Sequence, residues 1–368
     1  MPKKTDISPS VALLSEYLAN NHGANVGSVK VKKLGKGSHG QGFSFSFNRD
    51  GEEKKLIIKN LGTGSGLGHD YPSDRAAVFL QAFETYGRLP RHVKAVDVLS
   101  VKKGGEVLPF GGGSEYYLVM EEASGTSYFN DLREMADKAS LGQTDKGRIK
   151  ALAAYLARIH AKKKNSVQLY RRKIRDTIGH GECLMGVLDT YENGAGFTTP
   201  EEMAAIEKAC IDWRTRLKPL HARLSVTHGD FHPGNILFHD DGSFQLLDRS
   251  RGEYGEPADD VTALTINYIF FSLVRNGTMA GAYDEALRLF FDEYVAKAGD
   301  CSLTGVAALY YAFRGVVVAN PLFYPDVADD VRGKIFAFIH GVLMQDEFDP
   351  SRVNKYIAAG LRYRERFF

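Results

Sequence analysis

Three oxygen-bearing side chains are grouped in one short stretch of the chain, and this grouping constrains the fold more than any other feature. Asp230 and Asn235 lie five residues apart on a polar loop that contains a Pro-Gly turn. The apolar run 236–238 follows this loop, and Asp248 stands at the end of the next apolar run, 244–247. A hairpin formed by the two apolar runs would bring the three side chains to one point.

Phosphoryl transfer is the chemistry that these residue types fit. The transferring group carries negative charge spread over its oxygens, so a protein must position and neutralise it. A carboxylate such as Asp230 can orient or deprotonate an acceptor hydroxyl. The oxygens of Asn235 and Asp248 are ligands that Mg²⁺ takes. His228 and His232 flank Asp230, but a hard cation prefers oxygen, so we expect them to make hydrogen bonds within the loop.

The same residues carry a family resemblance. The stretch resembles the signature of the aminoglycoside phosphotransferase and choline kinase superfamily, relatives of the protein kinases, in its His228-Gly229-Asp230 triplet. Asn235 on the same loop and a hydrophobic run ending in Asp248 complete that signature. The resemblance extends from about residue 29 to at least 270. It implies that Asp230 is the catalytic base or hydroxyl-orienting residue, and that Asn235 and Asp248 hold magnesium.

A short motif downstream of Asp248 agrees with the resemblance. Gly255-Glu256-Pro257 is followed by Asp260 and an aliphatic residue, as in the family. We expect Asp260 to lie at the start of a helix, where an Asp is favoured in any case. The resemblance implies that it also braces the catalytic loop by hydrogen bonds.

The order of motifs upstream gives an independent test. Gly35, Gly37 and Gly40, with Ser38 between them, form a Gly-x-Gly-x-x-Gly loop between two predicted strands. Glycines let a backbone approach phosphates closely, and the amide groups donate to their oxygens. The loop is not a Walker A motif, because the required Lys-Ser or Lys-Thr pair is missing at its end. Lys59 ends an apolar strand just after this hairpin and resembles the kinase lysine that contacts the α and β phosphates.

Two further parts of the nucleotide site are predicted by position. A carboxylate on the next helix should pair with Lys59. Asp74 near its start is favoured over Glu84 near its end, although the helix N-terminus alone would also favour an Asp. The segment 118–125 resembles the interlobe hinge, near 121–125, and this resemblance implies that backbone groups near Glu121 and Ala123 meet the purine edge. This pattern does not distinguish ATP from GTP. The glycine-rich run 62–68 is interpreted as a flexible connector.

Hydrophobic periodicity divides the chain into a β-rich part and a helical part. The first part has predicted helices at 8–20 and 73–86 and strands at 29–34, 42–47, 56–59, 94–101 and 116–121. The second has predicted helices at 148–161, within 200–224, and over most of 258–298, 303–320 and 330–345. We therefore predict an α+β, two-lobed protein-kinase-like fold. Its small antiparallel β lobe is at 1–123, and its larger, mainly helical lobe is at 124–368.

Composition excludes several classes of partner. The net charge of +2 gives no overall field that would favour nucleic acid or a membrane surface. The basic residues at 162–164, 171–173 and 175 do not belong to a recognised nucleic-acid-binding module and are interpreted as solvated surface. No uncharged apolar stretch reaches the length of about 18 residues that a membrane helix needs. The three cysteines match neither zinc nor disulfide spacing. We expect a cytoplasmic protein without an obligate protein partner.

The sequence thus favours an ATP-dependent, Mg²⁺-requiring phosphotransferase acting on a hydroxyl of a small molecule. A protein kinase is disfavoured because the His-Arg-Asp, Asp-Phe-Gly and Ala-Pro-Glu elements are absent. A catalytically inactive nucleotide-binding regulator is the alternative from another class, and the presence of every required charge argues against it. Aminoglycosides, choline, sugars, amino-alcohols and nucleosides all stay open as acceptors, because a fold-level analogy does not choose among them.

Overall fold

The computed structural model describes most of the chain and divides it into two compact units. The described residues are 11–22, 29–37, 40–62, 72–102, 107–108, 115–191, 195–249 and 251–368. The first unit comprises Met1–Ser124 and Gln245–Arg251, and the second comprises Gly125–Phe244 and Gly252–Phe368. The sequence placed 245–251 in the helical part. In the structure this segment belongs to the first unit, because Leu246 exchanges backbone hydrogen bonds with Arg91 and Val93, at 3.1 and 3.3 Å.

A six-stranded antiparallel sheet forms the centre of the first unit, with strand order β1-β2-β3-β6-β4-β5. The strands are β1 Lys30–Gly37, β2 Gly40–Arg49, β3 Glu52–Lys59, β4 Ala95–Val101, β5 Val107–Leu108 and β6 Glu115–Glu121. The β2–β3 turn is Asp50-Gly51, where both residues have positive φ, 52° and 84°. This geometry suits a two-residue hairpin turn, and Asp-Gly is a sequence signal for it.

One helix covers each face of this sheet. On one face, Leu14 and Leu18 of α1, Val11–His22, pack against Phe45 and Phe47 of β2. On the other face, α2, Pro72–Tyr86, packs its apolar residues against the alternate positions of β3 and β6. Because successive side chains of a strand point to opposite faces of the sheet, each strand contributes apolar side chains to both faces.

Helices make up most of the second unit. They are α3 Tyr128–Met135, α4 Gln143–His160, α5 Val167–Gly179, α6 Leu184–Leu188, α7 Pro200–Leu217, α8 Pro257–Asn276, α9 Gly281–Ala298, α10 Ala307–Val318, α11 Asp329–Leu343 and α12 Val353–Arg364. Five short strands complete the chain: β7 Thr126–Ser127, β8 Ser225–Val226, β9 Ile236–Phe238, β10 Phe244–Leu246 and β11 Tyr254–Gly255. β7 pairs with β9, and β8 pairs with β11.

Helix α8 is the central helix of the second unit and is buried around most of its circumference. The Glu256 side chain caps its start, Pro257 fills the first helical position, and Gly277 ends it with φ 68°. Proline at the start and a left-handed glycine at the end are the sequence signals expected for helix boundaries. Within the described residues, no helix is both long and apolar enough to cross a lipid bilayer.

The elements confirm the predicted α+β class, with an antiparallel sheet in the first unit and packed helices in the second. The predicted strands are found with shifts of a few residues. Most of the predicted helices are also found, and the stretch 258–298 divides into α8 and α9. Helices α3, α5, α6 and α12 were not predicted.

The contact between α11 and α12 depends on two glycines that let the backbones approach. A Cβ on Gly360 would lie 1.7 Å from the carbonyl oxygen of Ala337, and one on Gly341 would lie 2.0 Å from that of Tyr356. We predict that Gly360→Ala lowers the free energy of unfolding by about 1–3 kcal/mol, since the helices must move apart. Gly147→Ala in α4, where no atom lies within 4 Å of the added carbon, is the matched control.

Denaturant unfolding of both variants measures this difference. The control should be neutral or stabilising by about 0.4–1 kcal/mol, because alanine only restricts the unfolded chain there. Equal stability of the two variants would contradict the described packing of α11 on α12.

Candidate active site

The loop that carries Asp230 is fixed by one buried carboxylate. Asp260 lies in the first turn of α8 and is fully buried. Its two oxygens accept the backbone N–H groups of His228 and Gly229, each at 2.7 Å, and one of them also contacts Nε2 of His160 at 3.1 Å. Burial by itself raises the pKa of Asp260, but the hydrogen bonds and charge of His160 outweigh it and hold the pKa below its ordinary value. The predicted brace is confirmed.

The turn that follows requires glycine and is closed by histidines. Gly229 has φ 86°, a conformation that side chains disfavour. Nδ1 of His228 accepts the N–H of Asp230 at 3.2 Å, and Nδ1 of His232 accepts that of Gly234 at 3.1 Å. Both histidines therefore make hydrogen bonds within the loop, as predicted. An acceptor Nδ1 places the proton of a neutral imidazole on Nε2.

Asn235 is oriented by the same loop. It ends a short 3-10 helix, Pro233–Asn235, and is buried. Its Nδ2 donates to the backbone carbonyl oxygen of Asp230 at 3.0 Å. Because the amide nitrogen is used in this way, the amide oxygen is directed elsewhere and can serve as a ligand.

Arg314 contacts Asp230 and was not predicted. Its Nη1 donates to Oδ1 of Asp230 at 2.6 Å, and its Nη2 donates to the carbonyl oxygen of Gly229 at 3.0 Å. Nη2 and Nε also donate to Oδ1 of Asp259, at 2.6 and 3.1 Å. Arg314 is the single charged residue of the otherwise apolar α10. A lone charge inside an apolar helix was the available sequence signal.

The first unit brings Lys59 and Asp248 together. Nζ of Lys59, at the end of β3, donates to the Asp248 carboxylate. Burial lowers the pKa of Lys59, but the charge of Asp248 and the neighbouring hydroxyl of Tyr86 outweigh it and raise the pKa above its ordinary value. Burial also raises the pKa of Tyr86 to about 12. The side chains of Lys59 and Asp248 are 22% and 45% exposed, so the pair is accessible from solvent.

Asp248 has an uncommon backbone conformation. Its φ of 55° lies in the left-handed region, which Asp tolerates better than most residues. Such conformations persist only where the surroundings hold them and are frequent at functional sites. The next residue, Arg249, is fully buried and donates to the carbonyl oxygen of Thr85 at 2.8 Å, which anchors this segment to the end of α2.

The pairing predicted between Asp74 and Lys59 is wrong. Within the described part of the chain, the side-chain partners of Lys59 are Asp248 and Tyr86. Tyr86 is the last residue of α2, whereas Asp74 is in its first turn. The 12 residues between them span about 18 Å of helix. Glu84 is exposed, and a residue two positions from Tyr86 does not share its helix face.

The buried charge on α2 is instead Arg75. Its Nε donates to Oε1 of Glu115 at 2.8 Å, and the two side chains are only 4% and 6% exposed. This pair joins the start of α2 to the start of β6. It therefore fixes the helix on the sheet at the end opposite to Lys59.

The glycine loop forms the predicted hairpin. Gly35 and Gly37 lie in β1, Gly40 begins β2, and Gly37 pairs with Gly40. Ser38 lies outside the described residues, as does the run 63–68. A Cβ on Gly40 would lie 1.9 Å from the carbonyl oxygen of Asn60, so glycine is required here for packing.

The two hinge residues differ in their backbone hydrogen bonds. The N–H of Glu121 donates to the carbonyl oxygen of Lys94 at 3.1 Å. The N–H of Ser124 donates to Oε1 of Gln245 at 3.1 Å. Among the described residues, no hydrogen bond uses the N–H of Ala123, which is half-buried. Of the two residues predicted to contact a purine, Ala123 is therefore the one whose backbone N–H is available as a donor.

The predicted site residues are thus found in two groups. Asp230 and Asn235 lie together in the second unit, and Lys59 and Asp248 lie together in the first. The meeting of all of them at one cation stays a prediction. Within the described ranges, no group of three or more His, Cys, Asp or Glu side chains could hold a metal. The predicted donors, one amide oxygen and one carboxylate, are nevertheless of the type that Mg²⁺ takes, usually with waters and phosphates.

A comparison with protein families decides the family of this chain. The model of the phosphotransferase enzyme family matches residues 39–294, which is more than half of the chain. The chain belongs to this family. The match confirms the resemblance predicted from residues 228–248. A comparison with curated proteins gives no match.

Several solved structures of phosphotransferases are similar over nearly the whole chain. An ethanolamine kinase from Plasmodium vivax is 11% identical, with 95% of this chain and 86% of that chain covered and a TM-score of 0.49. A choline kinase from Cryptosporidium parvum Iowa II is 12% identical, with 96% and 95% covered and a TM-score of 0.47. An aminoglycoside phosphotransferase from Streptomyces rimosus is 14% identical, with 84% and 98% covered and a TM-score of 0.45. Similarity at this level does not identify an acceptor.

The brace by Asp260 predicts a large effect of a small substitution. Asp260→Asn replaces one acceptor oxygen by an NH₂ group that faces backbone N–H donors. We expect the free energy of unfolding to fall by about 3–5 kcal/mol, as when one partner of a buried charged pair is removed. Asp137→Asn is the control, because that carboxylate is 83% exposed and its ion pair should contribute less than about 1 kcal/mol.

The pH dependence of unfolding gives a second readout. The folded pKa of Asp260 is depressed. Its stabilisation is therefore present above the unfolded pKa of about 3.9 and is lost as the pH falls through the folded value. Asp260→Asn should flatten this acid limb. Unchanged stability and an unchanged acid limb would contradict the brace.

Proposed function

We propose that this chain is an ATP-dependent phosphotransferase that transfers the γ-phosphate to a hydroxyl group of a small molecule. Membership of the phosphotransferase enzyme family supports phosphoryl transfer. The phosphoryl donor, the cation and the class of acceptor are proposed. The observation that carries the proposal is the braced loop of the second unit. It presents the carboxylate of Asp230 with an oriented amide oxygen, that of Asn235, five residues further on.

The first unit supplies groups for a nucleotide. Lys59 has a raised pKa and is charged at neutral pH, as a phosphate ligand must be. The glycine hairpin with Gly35, Gly37 and Gly40, together with Ser38, is proposed to cover the phosphates with backbone N–H groups. The N–H of Ala123, which has no hydrogen-bond partner among the described residues, suits a purine acceptor nitrogen, whereas the N–H of Glu121 already donates to Lys94. These backbone contacts do not distinguish GTP from ATP as the phosphoryl donor.

Asn235 and Asp248 are the residues proposed to hold Mg²⁺. The amide nitrogen of Asn235 donates to the backbone of the loop, so the amide oxygen is the atom proposed to bind the metal. Asp248 offers an accessible carboxylate on a constrained backbone. Bound between these residues and the nucleotide, Mg²⁺ would supply positive charge against the negative charge of the transferring phosphoryl group.

Asp230 is proposed to act on the acceptor. Its carboxylate accepts a hydrogen bond from the acceptor hydroxyl, aligns the oxygen for attack and takes up the proton as the new O–P bond forms. The bond between the γ-phosphorus and the oxygen that bridges to the β-phosphate breaks in the same step, and ADP leaves. A positioned acid or base typically contributes about 10²–10⁴-fold to the rate. The rest of the rate enhancement in phosphoryl transfer comes from alignment and charge neutralisation.

An assay of ADP release from ATP in the presence of Mg²⁺ tests the proposal. The protein is assayed with a panel of alcohols that includes amino-alcohols, aminoglycosides, sugars and nucleosides. We expect at least one alcohol to stimulate ADP release and to be phosphorylated. Asp230→Asn should lower kcat by about 10²–10⁴-fold while the protein still folds. Asp346→Asn is the control, since that carboxylate is 90% exposed.

Two results would contradict the proposal. One is more than a tenth of wild-type activity in Asp230→Asn. The other is a nucleotide-dependent thermal shift without ADP release for any alcohol, which would favour the inactive nucleotide-binding regulator.

The proposed phosphate contact of Lys59 predicts a separate effect on the binding of the nucleotide. Lys59→Met should weaken binding of Mg·ATP by about 10–100-fold, because a hydrogen bond between charged groups contributes about 1.5–3 kcal/mol. Lys54→Met, in the exposed part of the same strand, should bind as the wild type does. Titration calorimetry compares the two. Equal affinities in the two variants would rule out a phosphate contact for Lys59.

A further inference from the structure

We propose that Arg314 is a positioning residue that fixes the carboxylate of Asp230 in its working orientation. The inference rests on the proposed function, because it assigns Arg314 a part in the same reaction. Arg314 lies on α10, 84 residues after Asp230, and its side chain is 5% exposed. It acts on the acceptor only through Asp230.

The guanidinium holds two consecutive residues of the catalytic loop at once. Nη1 donates to Oδ1 of Asp230 at 2.6 Å, and Nη2 donates to the carbonyl oxygen of Gly229 at 3.0 Å. One contact fixes the side chain, and the other fixes the backbone of the residue before it. Since χ2 of Asp is broad when unrestrained, the hydrogen bond to Oδ1 selects one orientation of the carboxylate.

Asp259 keeps the guanidinium in place. Its Oδ1 accepts from both Nε and Nη2 of Arg314, at 3.1 and 2.6 Å. Asp259 is in the first turn of α8, next to Asp260, which holds the loop from its own side. Two neighbouring carboxylates of α8 therefore control the loop, Asp260 directly and Asp259 through Arg314.

The charges of this cluster are compatible with a role in catalysis. The carboxylates of Asp230 and Asp259 share the guanidinium of Arg314. Oδ1 of Asp230 accepts from Arg314, and the acceptor hydroxyl is proposed to contact Oδ2. That oxygen lies 3.8 Å from Nε2 of His232.

Lysine is a poor substitute at this position. Arginine offers five N–H donors in a planar fork, whereas lysine has a compact ammonium on a flexible stem. Four donor contacts of Arg314 reach three groups that lie in different directions. A lysine side chain would satisfy only part of them, so Arg314→Lys is expected to give an intermediate effect.

The first test measures kcat and KM of Arg314→Met and Arg314→Lys. The probes are the panel alcohol with the highest turnover and, in parallel, hydrolysis of Mg·ATP by water. We expect Arg314→Met to lower kcat by about 10–100-fold, as for a reacting group misplaced by about 1 Å, with KM for ATP changed less than about threefold. Arg314→Lys should recover part of kcat.

Arg364→Met is the matched control for loss of a buried arginine. Arg364 also lies on a helix and binds a buried carboxylate, that of Glu202, through Nε and Nη2 at 2.5 and 3.0 Å. It should lose thermal stability and keep the kcat of its folded fraction. If Arg314→Met and Arg364→Met lower activity only in proportion to the folded fraction, the positioning role is wrong.

A double-mutant cycle with Asp230→Asn decides whether Arg314 acts through Asp230. In the Asp230→Asn background, Arg314→Met should change kcat less than about twofold, because residues that act as a unit are not additive. An undiminished further loss would overturn the inference while leaving the proposed function intact. If Asp230→Asn itself retains activity, the proposed function fails first, and the inference falls with it.

Discussion

The carboxylate of Asp260 is the interaction on which the site of the second unit depends. It accepts two consecutive backbone N–H groups that would otherwise be buried without partners, at a cost of about 1–3 kcal/mol each. The carboxylate is held by α8, whose start is capped by Glu256 and whose length is buried in the unit. The orientation of Asp230 is therefore determined by the packing of a helix and not by the loop alone.

Lys59 has different neighbours from those that the family pattern suggests. Lys59 pairs with Asp248, and Tyr86 at the end of α2 lies beside it in place of a helix carboxylate. The buried ion pair of α2 is formed elsewhere, between Arg75 and Glu115. The lysine is thus oriented by Asp248, a residue that is also a proposed metal ligand.

The sequence predicted local features well, because each depends on nearby residues. The alternating phenylalanines of β2 and the Asp-Gly turn indicate a hairpin, and Gly229 with its histidines indicates a tight, hydrogen-bonded loop. The contacts that were missed depend on the relative placement of elements. The pairing of Asp74 was wrong because the end of α2 that approaches Lys59 is set by packing on the sheet.

Other misses have the same physical origin. Arg314 reaches Asp230 across 84 residues of sequence, and no periodicity marks that contact. Helix α5 was not predicted, because its basic residues were interpreted only as a solvated surface, although its four buried residues recur at helical spacing. Helix α6, with five residues, is too short for a period to show.

The proposed role of Asn235 and of Asp248 as magnesium ligands is the proposal on which the rest depends. Titration of Mn²⁺ in the presence of ADP, followed by electron paramagnetic resonance, tests it directly. Asn235→Ala and Asp248→Asn should each weaken nucleotide-dependent Mn²⁺ binding by at least about tenfold, which corresponds to about 1.4 kcal/mol. Wild-type binding in either variant would show that the substituted residue is not a metal ligand and would contradict the account.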